Sequence, residues 1–299
     1  KQLVAELKTT PKTIDALCEL GYLTSYLQPA YEHYELCEAA FSDSLSKEQE
    51  KISKVLCEKI QHPTYETILL RGITGSGKTE VYMEAISQSL QLGKQVLVLI
   101  PEIALSMDFV KRVAKRFGVL PGEWHSGISK GERRRLFNAI STHKVNLVIG
   151  ARSALFLPFV NLGLIVVDEE HDSSFKQEDG VCYNARDMAV LRAFLSKTKI
   201  ILSSATPSLE TWVNANNGKY DRLDLTQRYG DSYLPGVSLL DLRKDNLSAG
   251  HWISSYVKKS IKKRIAAGEQ SLLFLNRRGY APVTVCKDCG FQIGCPNCD

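Results

Sequence analysis

The chain has 299 residues, of which 44% are hydrophobic and 24% are charged, so it can bury a large core and form two or three folded units. It has no run of eighteen apolar residues and no signal-peptide layout at its start, so membrane-spanning and secreted classes are excluded and a cytoplasmic protein without a membrane partner is expected. The formal net charge of +5 at pH 7 permits a nucleic-acid partner without establishing one.

Residues 1–42 show two short helical patterns separated by a turn at residues 10–11. The second pattern places Ile14, Leu17 and Leu20 on one helix face. It fits a small helix-turn-helix remnant, and it fits a plain helical hairpin packed on the next domain equally well, because nothing in it defines a groove-reading surface.

From residue 43 to about 230, short aliphatic runs alternate with helical stretches. Strands this apolar are buried on both faces, and helices between them indicate a parallel sheet with right-handed crossovers. The sequence therefore predicts an α/β fold. The predicted strands are residues 68–70, 96–100, 147–149, 164–167 and 200–202, with further strand-like runs near 237 and at 272–275.

A glycine-rich loop follows the first predicted strand and matches the pattern G-x-x-x-x-G-K-[ST]. Its glycines let successive backbone N–H groups turn towards phosphate oxygens, and the next helix adds the positive end of its dipole. Lys78 is expected on the β and γ phosphates and Thr79 on Mg²⁺, which predicts ATP and Mg²⁺ as ligands. The residues assigned to the nucleotide are Gly72, Ile73, Thr74, Gly75, Ser76, Gly77, Lys78 and Thr79.

An acidic tetrad, residues 168–171, directly follows another predicted strand. Asp168 is placed to hold Mg²⁺, and Glu169 is placed to polarise the attacking water as a general base. His171 is expected at the edge of the site, within reach of the γ-phosphate. Taken alone, the tetrad also fits a solvated acidic loop, but together with the glycine-rich loop it predicts a nucleotide-hydrolysing site on neighbouring strands. The predicted catalytic residues are Lys78, Thr79, Asp168, Glu169 and His171.

Small and polar residues follow three more of the predicted strands, at residues 101–105, 125–127 and 150–153. In open α/β sheets, the edge at the carboxyl ends of the strands carries ligands. Small residues there would allow backbone N–H contacts to a polynucleotide, and Arg152 is a candidate partner for a phosphate group.

Two segments resemble motifs of superfamily-two helicases. Ser204, Ala205 and Thr206 follow the strand at 200–202 and are similar to the coupling motif, whose hydroxyl groups are expected to hydrogen-bond the acidic tetrad when nucleotide binds. Gln49 precedes the glycine-rich loop by the distance at which helicases place a glutamine that reads the adenine edge. A side-chain amide suits that role because it both donates and accepts; the alternative is an exposed glutamine without a role.

The run of residues 168–192, DEEHDSSFKQEDGVCYNARDMAVLR, carries a more specific resemblance. It is similar to the aromatic-rich loop of the primosomal replication-restart helicases, the PriA family. The segment LFLNRRGY at 273–280 resembles an early motif of the second lobe in the same family. The likeness covers residues 43–299, and residues 1–42 are compatible with the family's winged-helix domain.

This resemblance implies a winged-helix-like remnant at 1–42, a RecA-like first helicase lobe at 43–232, the start of a second RecA-like lobe at 233–283 and the start of a zinc-binding region at 284–299. It implies an ATP-dependent DNA helicase that binds stalled or abandoned forks, unwinds duplex DNA 3′ to 5′, and promotes primosome assembly and loading of the replicative helicase. The arginine that would stabilise the γ-phosphate transition state lies beyond these residues, so hydrolysis by the chain alone is expected to be deficient. The alternative class is an ATP-switched DNA-binding clamp or loading scaffold without unwinding.

The resemblance also assigns residues to DNA. Phe175 and Tyr183 are expected to stack on bases of single-stranded DNA, and Lys176 and Arg186 are expected to balance phosphate charge; Arg152 completes the predicted set. By residue type alone, aromatic side chains that anchor the loop to the core are an equally good explanation, and the family likeness favours stacking.

Two cysteine pairs stand at the end of the chain, and each can present two thiolates to Zn²⁺. Five residues separate the pairs, fewer than in the usual four-cysteine ribbon. The resemblance implies further pairs, with two zinc ions shared so that each pair here is half of a different site. Because the chain starts without Met and stops within this pattern, we expect both termini to be cut points. The predicted zinc ligands are Cys286, Cys289, Cys295 and Cys298.

Overall fold

In the computed structural model the chain divides into two units, Lys1–Tyr233 and Leu234–Asp299. The residues whose structure is described are 10–23, 34–42, 44–101, 107–230, 236–241, 253–274, 284–285 and 292–293. None of the helices in these ranges has the length and hydrophobicity that a membrane crossing requires.

Seven parallel strands form one sheet among the described residues of the first unit. They are β1 (Glu66–Gly72), β2 (Gln95–Leu99), β3 (Gly122–Trp124), β4 (Leu147–Gly150), β5 (Leu162–Asp168), β8 (Lys199–Ser204) and β9 (Asp221–Leu225). Their order in the sheet is β3-β4-β2-β5-β8-β1-β9. A separate antiparallel pair is formed by β6 (Lys176–Gln177) and β7 (Tyr183–Asn184).

Helices precede this sheet in the chain and alternate with its strands. They are α1 (Pro11–Glu19), α2 (Lys47–Gln61), α3 (Lys78–Gln91), α4 (Met107–Phe117), α5 (Lys130–Ser141), α6 (Ala185–Ser196) and α7 (Leu209–Asn216), with short 3-10 helices at Arg152–Phe156 and Ser173–Phe175. Helix α1 begins after Thr10, whose side chain accepts a hydrogen bond from the backbone of Thr13, and it corresponds to the second helical pattern predicted in residues 1–42.

Two buried clusters cover the two faces of the sheet. Along β5, Leu164 and Val166 belong to one cluster, whereas Ile165 and Val167 belong to the other. This alternation is the period of a strand, whose successive side chains point to opposite faces. Helices α2 and α3 contribute to the first cluster, and helices α5 and α6 to the second. The predicted parallel α/β sheet with helices on both faces is therefore confirmed.

Five predicted strands are present as β1, β2, β4, β5 and β8, and β3 and β9 were not predicted. The strand-like runs near 237 and at 272–275 are not borne out where they are described, because residues 236–241 and 269–274 have no strand structure. An apolar run becomes a strand only when a partner strand takes its backbone hydrogen bonds.

The described part of the second unit contains helix α8 (Ser255–Ala266) and an antiparallel pair, β10 (Thr284–Val285) with β11 (Gln292–Ile293). Helix α8 begins after Ser254, whose hydroxyl accepts from the backbone of Val257. The assignment of this unit to a second RecA-like lobe stays a prediction, as does the winged-helix-like character of residues 1–42.

Asn146 ties the segment before α2 to the start of β4. Its buried side chain accepts from the backbone N–H of Cys37 and donates to the backbone carbonyl of the same residue, both at 2.8 Å. Asn146→Ala leaves both buried groups without a partner, so we expect the free energy of unfolding, measured in urea, to fall by about 1–3 kcal/mol. Asn138→Ala, at an exposed position on α5, should change it by less than about 0.5 kcal/mol. Equal effects of the two substitutions would contradict this account.

Candidate functional site

The glycine-rich loop joins β1 to α3 in a conformation that requires glycine. Gly75 and Gly77 have φ angles of +82° and +80°, in the left-handed region. A Cβ atom on Gly77 would also collide with the side-chain amide of Gln49. Gly77, at the N-cap of α3, has no side chain that could accept from the first-turn N–H groups of the helix.

Polar groups line this loop from inside. The Lys78 side chain is 8% exposed, and its ammonium donates to the backbone carbonyl of Gly72 at 3.1 Å. The buried hydroxyl of Ser76 has no hydrogen-bond partner among the described residues. A buried cation, a free hydroxyl and an uncapped helix N-terminus form a cradle that fits the phosphate groups of a nucleotide.

Gln49 of α2 holds the glycine-rich loop through a hydrogen bond of its side chain. Its side-chain oxygen accepts from the backbone of Ser46 at 2.8 Å, and its side-chain nitrogen donates to the backbone carbonyl of Ser76 at 2.9 Å. Only 2% of the residue is exposed, so the alternative of an exposed glutamine without a role is wrong. Both ends of its amide are used within the protein, and its reading of adenine stays a prediction.

Asp168 lies at the end of β5 and is held by hydroxyl groups from two other elements. Ser203 of β8 donates to one carboxylate oxygen at 2.8 Å, and Tyr82 of α3 donates to the other at 3.1 Å. Burial, and after it the charge of Asp168, raise the pKa of Tyr82 well above its usual value, so the phenol stays a donor. Thr79, in the glycine-rich loop, acts on the pKa of Tyr82 in the opposite direction.

Glu169 has a φ angle of +48°, which is costly for a residue with a side chain. Burial, and after it the charge of Asp168, raise the pKa of Glu169 above its usual value, while Lys78 and His171 act in the opposite direction. A carboxylate with a raised pKa is a better base than an ordinary one. The hydrogen bond from Tyr82 to Asp168 joins the helix that follows the glycine-rich loop to the tetrad.

The coupling segment contacts the tetrad directly. The Nδ1 atom of His171 is 2.8 Å from the Ser204 hydroxyl and 3.6 Å from a carboxylate oxygen of Glu169. The Ser204 hydroxyl also accepts from the backbone of Thr206 at 3.0 Å. Ser203 was missing from the predicted coupling set, although its hydroxyl donates to Asp168.

The expectation of neighbouring strands is wrong. Strand β8 pairs with both β1 and β5 and therefore separates the glycine-rich loop from the tetrad. The reason is the crossover through α6, which returns the chain to the sheet between the two earlier strands. The coupling segment thus begins between the two halves of the site.

Arg152 holds the segment that follows the tetrad through two backbone carbonyl groups. The Arg152 guanidinium donates to the backbone carbonyls of Ser174 and Lys176, at 3.3 and 3.0 Å. Phe175, between them, is 1% exposed and belongs to the second core cluster. This position favours the alternative in which the aromatic ring anchors the loop to the core. The Lys176 ammonium is exposed and pairs with Glu178 at 2.7 Å.

Tyr183 and Arg186 occupy different environments further along this run. Tyr183 is half-buried, and its ring meets that of Phe156 edge-on with centroids 5.4 Å apart. Arg186 is buried beside the carboxylate of Glu170, which leaves its predicted contact with DNA without support from its position. Glu170 was not among the predicted site residues.

The predicted zinc ligands lie outside the described residues, as does the segment 102–106 that follows β2. The part of the chain that the structure describes holds no cluster of three or more side chains that could bind a metal ion. The zinc site therefore stays a prediction.

Comparison with known proteins places this site in a family. The model of the DEAD/DEAH box helicase family matches residues 46–214, more than half of the chain. That span includes the glycine-rich loop, the acidic tetrad and the coupling segment. The chain belongs to the DEAD/DEAH box helicase family.

Individual relatives give a more specific comparison than the family model. The chain is 47% identical to replication restart protein PriA of Rickettsia felis over 85% of this chain and 38% of that protein. It is 38% identical to replication restart protein PriA of Bacillus subtilis over 100% of this chain and 38% of that protein. The chain thus spans less than half the length of these relatives. Among solved structures it is similar to the Pyrococcus furiosus Hef helicase domain, at a TM-score of 0.45 and 19% identity over 64% of this chain and 40% of that one.

Glu169 should make stability depend on pH in a particular direction. Its pKa is raised in the folded state, so ionisation costs stability as the pH rises through that pKa, and the cost is absent below the pKa of the unfolded chain. Glu169→Gln should therefore raise the free energy of unfolding at neutral pH, and the gain should vanish at a pH where glutamate is protonated in both states. Urea unfolding at the two pH values measures this difference.

Glu178→Gln is the matched control. The hydrogen bond and charge of Lys176 lower the pKa of Glu178, so this substitution should bring no gain at neutral pH. A destabilised Glu169→Gln variant at neutral pH would refute the prediction.

Proposed function

We propose that the protein is an ATP-dependent DNA helicase of replication restart. It binds stalled or abandoned forks, unwinds duplex DNA 3′ to 5′, and promotes primosome assembly and loading of the replicative helicase. The observation that carries this proposal is that β1, which leads into the Lys78 cradle, and β5, which ends at Asp168, flank β8, while Tyr82 of α3 donates to Asp168. The family, and the relatives named as replication restart proteins, support DNA unwinding in replication restart as the use of that site.

The residues at this site fit ATP and Mg²⁺. Lys78 and the N–H groups at the start of α3 would hold the β and γ phosphates, and the Thr79 hydroxyl with the Asp168 carboxylate would hold Mg²⁺, which prefers oxygen ligands. When bound, Mg²⁺ neutralises charge on the phosphate oxygens. Ser203 and Tyr82 fix the direction of the Asp168 carboxylate before any ligand arrives.

Hydrolysis needs a base that activates the attacking water and a group that stabilises the negative charge on the phosphate oxygens. Glu169 takes the proton from the water that attacks the γ-phosphate, because its raised pKa makes it a stronger base than an ordinary carboxylate. Lys78 stabilises the negative charge that develops on the phosphate oxygens. His171 links Glu169 to Ser204, so a change at the base reaches the coupling segment.

DNA binds on the side of the loop that remains accessible. Lys176 is exposed, and Tyr183 keeps part of its ring accessible, which suits a phosphate contact and a base contact respectively. Arg152, Phe175 and Arg186 support the loop from the protein side.

The remaining assignments extend the same proposal. Residues 1–42 are a winged-helix-like remnant, residues 233–283 begin a second RecA-like lobe, and residues 284–299 begin a zinc-binding region of a cytoplasmic protein. Thiolates of Cys-x-x-Cys pairs are suitable zinc ligands, and strands β10 and β11 each precede one of the two pairs.

Lys78→Ala should reduce ATP turnover by at least about 10²-fold in the full-length protein, because it removes the buried cation from the phosphate cradle. Strand displacement on forked DNA should fall with it. Lys51→Ala, at an exposed position on α2, is the control and should leave both rates unchanged. Unwinding by Lys78→Ala at the parent rate would end the motor assignment, and DNA-stimulated turnover in the parent without strand displacement would favour the clamp or scaffold.

Cys286→Ser and Cys295→Ser should each remove a different zinc ion, because the two pairs belong to separate sites in this proposal. Metal analysis of the purified full-length protein should therefore show additive losses in the double variant. Cys37→Ala is the control, since burial raises the pKa of the Cys37 thiol to about 12 and the residue lies in the first core cluster. Loss of all zinc from either single variant would show one shared site instead.

A further inference from the structure

Glu170, the third residue of the acidic tetrad, does not face the nucleotide cradle. Its side chain is fully buried, and its carboxylate accepts from the Ser208 backbone at 2.7 Å, the Ser208 hydroxyl at 3.1 Å and the Thr211 hydroxyl at 2.9 Å. The Arg186 guanidinium lies 3.4 Å from the same carboxylate. One buried charge is thus held by four donors from two other elements.

These contacts join three elements that contribute to the proposed function. Glu170 is adjacent in sequence to the proposed base Glu169, and its backbone N–H donates to the carbonyl of Ser203 at 3.1 Å. Ser208 caps the start of α7, which follows the coupling segment. Arg186 lies in the first turn of α6, directly after the β6–β7 pair of the aromatic-rich loop.

The start of α6 is fixed as firmly as that of α7. Asn184 caps α6 by accepting from the backbone of Arg186 at 3.0 Å. The Arg186 side chain donates to Ser208 at 2.6 Å and to Asp187 at 2.8 Å. A shift of the β6–β7 pair would therefore move the Arg186 guanidinium relative to the Glu170 carboxylate. That carboxylate cannot move without disturbing the start of α7.

Stability alone gives little reason for such a group. Buried ion pairs can often be replaced by apolar side chains without loss of stability, whereas removal of one partner is costly. A fully satisfied buried network does define one arrangement of the elements that it joins. The value of Glu170 therefore lies in the geometry that it imposes.

We infer that Glu170 is a positioning residue through which the aromatic-rich loop controls the proposed base Glu169 and the coupling segment. A ligand on the loop displaces the start of α6, Arg186 transmits the displacement to Glu170, and Glu170 passes it to Glu169 along the backbone and to α7 through Ser208. Arg186 is a link in this path rather than a contact to phosphate. The inference rests on the proposed function.

The test uses the full-length protein and compares ATP turnover with and without a single-stranded oligodeoxythymidylate. Thr211→Val should keep the turnover without oligonucleotide, and both Thr211→Val and Glu170→Gln should reduce its stimulation at least about 5-fold, the lower end of typical couplings between sites. Thr211→Val keeps the buried ion pair, so it remains informative where Glu170→Gln fails to fold. The oligonucleotide affinity, measured by fluorescence anisotropy, should not change in Arg186→Gln.

The double variant Glu170→Gln/Arg186→Gln should lose no more stimulation than either single variant, because residues of one network act together. Asn146→Ala controls for a general loss of stability and should keep its stimulation. Full stimulation in Thr211→Val, weakened DNA binding in Arg186→Gln, or additive losses in the double variant would each overturn the inference. A parent protein whose turnover the oligonucleotide does not stimulate would instead contradict the proposed function itself, and the inference with it.

Discussion

The parallel pairing of β8 with β1 on one side and β5 on the other is the constraint on which the site depends. In this register Asp168 is opposite Ser203, and Arg71, the residue before the glycine-rich loop, is opposite Ser204. The three strands therefore end together at one edge, as in other open α/β sheets whose ligands bind there. A shift of one residue in either pairing would send Ser203 to the other face and leave Asp168 without its donor from β8.

The sequence predicted the parts of the sheet whose burial is complete. The five recognised strands have aliphatic runs because helices cover both of their faces. Strand β9 is at an edge and reads DRLDL, and β3 has only three residues, so neither shows a continuous apolar run. Strand order was not predictable either, because the pattern of one strand does not say where a crossover returns it to the sheet. That is why β8 was not expected between β1 and β5.

The residues of the candidate site were likewise predicted only in part from the sequence. The glycine-rich loop and the tetrad were found because each is a local motif whose spacing follows from its chemistry. Tyr82 and Glu170 were missed because their partners are distant in sequence and only the fold brings them close. Phe175 and Arg186 show the opposite difficulty. Their residue types suit DNA, but they suit a core and a buried ion pair equally well, and only burial distinguishes these roles.

The aromatic-rich loop therefore carries two ion pairs of different character. The Lys176–Glu178 pair is exposed, with side chains 64% and 72% accessible, so it contributes little and a phosphate group can replace the carboxylate at small cost. The Arg186–Glu170 pair, at 7% and 0%, has no such freedom, because breaking it would leave a charge buried. The loop therefore has an ion pair at its surface that can exchange its partner, and an ion pair next to the tetrad that cannot. A ligand can bind at the first pair while the second keeps the loop attached to the tetrad.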